Sequence, residues 1–232
     1  MLPEAQRKSY SGTIVGKRGY GKSFLAKEIA ADETRVAVID NLGEYDGLRV
    51  VEGFRECVKA LVEVEKKARF GLALRTMSLE EDLDLLELIG KMTHLTVIVE
   101  ETSRYSSSAF LPPPLEFLTR YGRHSAINTL WLARRASEIP RDLTANSDFI
   151  VSFNQHEKRD VEYLRSFMGD MALGAMNLPP YKCIVWGPDD KMPWPVVNRK
   201  YESGNEIEEK EPAPIEDEKD KGQIKGNEDG EV

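Results

Sequence analysis

Gly16-Lys17-Arg18-Gly19-Tyr20-Gly21-Lys22-Ser23 fills every fixed position of the pattern G-x-x-x-x-G-K-[ST]. The apolar stretch Thr13-Ile14-Val15 precedes it, and Phe24-Leu25-Ala26-Lys27-Glu28-Ile29-Ala30 follows with helical spacing. The stretch therefore reads as strand, loop and helix. Glycines let consecutive backbone N–H groups curl around a phosphate, and the N-terminus of the following helix adds a favourable dipole. Lys22 is then placed to reach the β- and γ-phosphates, and the Ser23 hydroxyl to join a Mg²⁺ shell. The expected nucleotide-binding residues are the eight of the loop together with Phe24, and the expected ligands are ATP and Mg²⁺.

Working outward, apolar runs of strand length alternate with longer amphipathic stretches. Strands are predicted at 13–15, 36–39, 71–74, 95–99, 128–132, 149–153 and 183–186. Helices are predicted at 23–31, 54–68, 79–91, 115–124 and 158–168. Several strands are nearly continuous in Val, Ile and Leu, as strands buried on both faces are. This alternation predicts an α/β fold with a mainly parallel, doubly wound sheet, and ligands in such sheets sit at the carboxyl ends of the strands. The polar, proline-stopped segment 103–114 is expected to be a mobile loop.

Charge divides the chain unevenly. Residues 201–232 carry 12 acidic and 4 basic side chains, which accounts for the whole formal net charge of −8. The remainder is formally neutral and, at about 200 residues, ample for one core. The acidic segment lacks apolar periodicity and is expected to be disordered. The division expected is an N-terminal extension (1–10), an ATPase domain (11–200) and an acidic tail (201–232). Cys57 and Cys183 lie far apart without metal-ligand spacing and read as two reduced thiols, with a lone disulfide as the less favoured alternative. The residues 1–8 have no apolar core of a secretory signal, and no stretch approaches the roughly 20 apolar residues of a membrane span. A cytoplasmic location follows as the expectation. His94, His124 and His156 share no spacing and read as surface or loop residues rather than metal ligands.

Beyond the loop, Leu95-Thr96-Val97-Ile98-Val99-Glu100-Glu101 is a buried strand ending in two adjacent carboxylates. ATP hydrolysis needs one acidic group to hold hydrated Mg²⁺ and another to orient or deprotonate the attacking water. Successive side chains at a strand end point to opposite faces. Glu100 is assigned to the metal with Ser23, and Glu101 to the water. Aspartate is more usual at the metal position, and the longer Glu100 is a departure that bears on turnover.

Two further segments narrow the reading. Val36-Ala37-Val38-Ile39-Asp40-Asn41-Leu42-Gly43-Glu44-Tyr45 resembles the second-strand signature of the HerA branch of the HerA/FtsK ATPases, a strand ending in Asp and followed by Gly-Glu-Tyr. The segment Gly122-Arg123-His124-Ser125-Ala126-Ile127-Asn128-Thr129-Leu130-Trp131-Leu132-Ala133-Arg134-Arg135-Ala136 resembles the family's arginine-containing segment, a Gly-Arg pair, a strand, then Gln-Arg-Pro. Asn146-Ser147-Asp148-Phe149-Ile150-Val151-Ser152-Phe153 with Asp160 is similar to the next family strand and helix. The resemblance runs in order over roughly 11–190. It implies a RecA-like P-loop NTPase core in which Arg123 reaches a neighbouring subunit's nucleotide to neutralise charge on the transferred phosphoryl group. Arg120 is the reserve for that role, its ordinary alternative being a surface pair with Glu116. Arg134 occupies the place of the family's sensor glutamine, and Arg135 matches the family's arginine.

The same resemblance implies a ring motor on double-stranded DNA, a homo-oligomer and most simply a hexamer. The neutral core means that DNA contacts would be local, with Arg104, Tyr105, Arg134, Arg135 and Arg141 as candidates. A motor core without the flanking parts of cellular relatives is expected, similar to viral genome-packaging ATPases, with a capsid portal as partner. A cellular or plasmid DNA-processing translocase with a nuclease partner is the next reading. A slow, nucleotide-gated interaction module is a different class that Glu100 and Arg134 also fit. A small-molecule kinase would carry an arginine-rich lid, for which no segment is found.

Overall fold

Buried strands alternating with one-sided helices have one compact solution, a sheet with helices on both faces. The computed structural model describes residues 9–197 and has this arrangement. Eight strands, β1 (Ser11–Val15), β2 (Arg35–Ile39), β3 (Arg49–Glu52), β4 (Phe70–Arg75), β5 (Leu95–Val99), β6 (Ile127–Ala133), β7 (Phe149–Ser152) and β8 (Ile184–Trp186), form one sheet. Their order is β3-β4-β2-β5-β6-β1-β7-β8. All pairings are parallel except β7 with β8, which is antiparallel. The helices are α1 (Lys22–Asp32), α2 (Phe54–Val64), α3 (Leu79–Gly90), α4 (Pro113–Tyr121), α5 (Arg141–Ala145), α6 (Lys158–Met168) and α7 (Trp194–Val197).

The period-two pleat sorts the core into two layers. Val36, Val38, Ile98, Leu130 and Leu132 face one side, against Leu25, Ala26 and Ile29 of α1. Ala37, Ile39, Val97, Val99 and Trp131 face the other, against Leu61, Leu85, Leu86 and Leu115 of α2, α3 and α4. All five residues of β5 are buried. Shortening one such side chain to alanine is expected to cost about 2–5 kcal/mol. The sheet is thus a rigid platform, and every parallel strand delivers its carboxyl end to the same edge.

The predicted α/β class and doubly wound sheet hold, with these differences. The edge strand β3 was not predicted, because Arg49-Val50-Val51-Glu52 offers only two apolar residues between charges. Helix 54–68 stops at Val64, where Glu65-Lys66-Lys67 brings no side chain to bury. The stretch 115–124 is α4 followed by a tighter 3-10 turn, Gly122–Ser125, so Arg123 lies beyond the helix that carries Arg120.

The segment 103–114 is not a free loop at its start. Tyr105 is buried, its hydroxyl donating to Asp82 Oδ2 at 2.8 Å and accepting from the Asn41 amide. Ser106 is buried and donates to Thr102 O at 2.9 Å. Pro113, the first residue of α4, suits a position whose N–H would have no helical acceptor. Cys57 and Cys183 are free and buried. Among the described residues no helix is long and apolar enough to cross a membrane. The acidic tail expected at 201–232 and most of the N-terminal extension lie outside the described residues.

Candidate active site

The loop between β1 and α1 is shaped by its glycines. Gly16, Gly19 and Gly21 have φ of 151°, 80° and 107°. At Gly16 a Cβ would stand 2.5 Å from Phe153 Cβ, and at Gly21 it would meet the Tyr181 ring at 2.9 Å, so neither position accepts a side chain. The loop is tied to both flanking strand ends. Gly16 N–H donates to Ala133 O at 3.2 Å and Lys17 N–H to Asn154 O at 2.9 Å. Lys17, Arg18 and Gly19 form its exposed crown. Gly21 precedes α1 without a side-chain cap, so the first-turn N–H groups have no helical acceptor and form an anion-binding end.

Lys22 is buried, with Nζ donating to Lys17 O at 3.4 Å. Burial lowers the affinity of its amine for a proton, and the nearby Glu101 and Glu100 oppose that. Glu100 is 1 % exposed and accepts from the Tyr45 hydroxyl at 2.7 Å. Desolvation pushes its carboxyl up to about 7, against hydrogen bonds from Tyr45 and Ser23. Tyr45 is itself held well above its ordinary value by burial and by Glu100. At Glu101 the backbone turns into the left-handed region, with φ 48° and ψ 53°, an uncommon conformation outside glycine. The turn sends the two carboxylates apart. Glu100 goes to Tyr45 and Ser23, whereas Glu101 Oε1 meets Arg134 Nε at 2.8 Å.

Asp40, at the end of β2, explains the Gly-Glu-Tyr element. It is buried, with Oδ1 accepting from Glu44 N–H at 2.9 Å and Oδ2 from Tyr45 N–H at 3.2 Å. Arg75 Nε donates to the same Oδ2 at 2.9 Å. Gly43, at φ 68°, allows the turn that brings these amides back onto the carboxylate. The consequence is positional: the turn drops the Tyr45 hydroxyl onto Glu100.

Four parallel strands therefore bring the loop, the two carboxylates, Tyr45 and Arg134 to one edge of the sheet. No protein-family model matches the chain, and no curated protein matches it. Solved structures do. The genome packaging NTPase of Sulfolobus turreted icosahedral virus 2, determined in complex with AMP, matches with a TM-score of 0.63 at 14% identity, over 80% of this chain and 95% of that one. The chain shares the fold of this NTPase. The DNA-packaging ATPase of Sulfolobus turreted icosahedral virus matches this fold with a TM-score of 0.58 at 18% identity, over 83% and 96% of the two chains. VirB4 of Thermoanaerobacter pseudethanolicus matches with 0.53 at 10% identity, over 84% and 93%.

Within this fold, the donor set beside the loop suits Mg²⁺. Ser23 supplies a hydroxyl and Glu100 a carboxylate, both hard oxygen ligands. Glu100 is a buried acid whose charge the protein alone does not fully compensate. Mg²⁺ typically takes one or two carboxylates and completes its shell with substrate phosphates and water. Among the described residues no group of three or more His, Cys, Asp or Glu is placed to hold a metal unaided.

The other arginines separate by position. Arg134 joins the site through Glu101. Arg123 is exposed and lies just before β6, at the amino edge of the sheet. The seven residues of β6, at about 3.3 Å each, put it roughly 20 Å from its own loop. Arg120 pairs with Glu116 at 2.9 Å and with Asp142 at 3.1 Å. Arg135 pairs with the buried Asp160 at 3.2 Å and with Glu157, and Arg141 lies over the Phe167 ring at 4.8 Å. Tyr105, taken as a DNA candidate, is buried in the core-facing network described above, and Arg104 beside it is exposed. Sequence reasoning overlooked the roles of Tyr45 on Glu100 and of Asn154 under the loop. The first lay within a quoted motif; the second carried no signal.

Proposed function

We propose that this chain is the ATP-hydrolysing motor of a double-stranded DNA translocase, of the genome-packaging type, with residues 11–200 as its ATPase domain. The observation that carries the reading is the convergence of the phosphate loop, Lys22, Glu100, Glu101 and Arg134 at one edge of a fold shared with packaging NTPases. Lys22, the loop amides and the first turn of α1 bind the triphosphate. Ser23 and Glu100 would hold Mg²⁺, which would supply charge neutralisation at the phosphates. Glu101 orients and deprotonates the attacking water. The guanidinium of Arg134, paired at rest with Glu101, would turn to the phosphoryl group of a bound substrate and free the carboxylate for water. Arg123, too far to serve its own loop, serves a neighbour's, which requires a homo-oligomeric ring, most simply a hexamer. A capsid portal is the fitting partner, and host cytoplasm or virion the place.

The test is the ATPase rate of the full chain with and without linear double-stranded DNA. The reading predicts hydrolysis that rises several-fold with DNA and is lost in Lys22→Ala. One observation favours a second reading, a slow nucleotide-gated interaction module: the resting Glu101 is engaged by Arg134. A slow rate indifferent to DNA would select that reading.

A further inference from the structure

Two half-exposed aromatic rings stand beside the phosphate loop, where no core needs them. Phe24, in the first turn of α1, is 48% exposed, and Tyr181 is 56% exposed. Their rings meet edge to face, with centroids 5.8 Å apart and planes at 84°. The pair is built to stay in place. Tyr181 N–H donates to Tyr20 O at 2.9 Å, which fastens it to the loop itself. Its own segment is pinned by the buried Asn154, whose amide donates to Met176 O at 3.1 Å and Leu178 O at 3.0 Å. The carbonyl of the same Asn154 accepts from Lys17 N–H. One residue thus ties the phosphate loop and the Tyr181 segment together. Tyr181 also sits at φ 64°, a conformation that is costly for a bulky side chain and persists only where the surroundings over-determine it.

Ring faces held at fixed distance from an anion site match a ligand with a phosphate at one end and a flat π-system at the other. We propose that Phe24 and Tyr181 form the nucleobase subsite, the base stacking on the open ring surface while the loop holds the phosphates. This rests on the nucleotide reading above and extends it to specificity. Stacking reads π area, not a donor–acceptor pattern. The subsite therefore takes adenine and guanine alike and holds pyrimidines less well.

Calorimetric titration of the full chain with ADP, GDP, CDP and inorganic pyrophosphate tests this without hydrolysis. ADP and GDP are expected to bind alike, and CDP more weakly. Tyr181→Ala is expected to weaken ADP on the order of 10- to 100-fold, the range for loss of one base–aromatic stack, and to leave pyrophosphate unchanged. Tyr181→Phe is expected to restore ADP binding. Tyr181→Asn is the second variant, because asparagine tolerates the left-handed backbone while removing the ring; it should behave as Tyr181→Ala does. Equal losses for ADP and pyrophosphate would make Tyr181 a support of the loop and overturn the subsite. Unchanged ADP affinity in both ring-deleting variants would overturn it too, leaving the nucleotide reading intact. A parent chain binding neither ADP nor pyrophosphate would overturn both.

Discussion

Replacing Glu100 by glutamine removes one ionisable group from the deepest part of the site and leaves its shape nearly unchanged. The glutamine carbonyl can still accept from the Tyr45 hydroxyl. In the folded chain the Glu100 carboxyl is raised from 4.5 to about 7, chiefly by burial. A group raised in this way contributes stability that is complete below about pH 4.5 and is lost as the pH climbs through about 7. At about 1.4 kcal/mol for each tenfold change in proton affinity, the ionised carboxylate costs the nucleotide-free protein roughly 3 kcal/mol above that range. Glutamine carries no such cost at any pH. Glu100→Gln should therefore match the parent near pH 4.5 and exceed it by up to about 3 kcal/mol at pH 8. For a domain of this size that corresponds to a Tm about 6–12 °C higher. The assay is urea or thermal unfolding at both pH values, with nucleotide absent and divalent metal chelated. An advantage of equal size at both pH values would refute the argument, as would a variant less stable than the parent at pH 8.

Lys22→Ala should lower kcat/KM for ATP by about 100-fold or more through loss of a charge aimed at the phosphates. Because it deletes a buried, desolvated cation, thermal unfolding should show no loss of stability; a large drop would mark Lys22 as structural. Arg123→Ala and Lys22→Ala chains should each be inactive alone, whereas mixed assemblies should regain sites that combine intact halves. No recovery in demonstrably mixed assemblies would speak against an arginine acting across subunits. Truncation after Lys200 removes the chain's whole net charge of −8 and should leave basal hydrolysis and Tm unchanged; if the tail lies near the pore, it should also tighten DNA binding at low salt. The gain should fade near physiological salt, where the Debye length is about 8 Å, and loss of folding on truncation would contradict the domain boundary.

What was legible in the sequence was what is local. The phosphate loop is eight consecutive residues, and its strand and helix adjoin it. The helix Lys158–Met168 matches its predicted bounds because its apolar stripe runs from end to end. The carboxylates of β5 were legible for the same reason. The ion pair of Glu101 with Arg134 was not, because it joins residues 33 apart in sequence through the register of β5 against β6. The Tyr45–Glu100 bond likewise needs the Asp40 turn to fold back across the sheet. Tyr181, placed after Pro179-Pro180, looks like a loop aromatic until its backbone bond to Tyr20 brings it to the phosphate loop. Short elements such as β3 and α5 carry too few residues for a period to register, and tertiary packing alone decides them.

The central claim, that hydrolysis at this edge drives movement along DNA, is tested most directly by displacement of a third strand annealed to linear double-stranded DNA. The full chain should release the third strand with ATP and Mg²⁺. The Glu101→Gln chain, which keeps ATP binding but cannot activate water, should release none. Rapid ATP hydrolysis by the parent with the third strand left in place, or release by Glu101→Gln at the parent rate, would contradict the account.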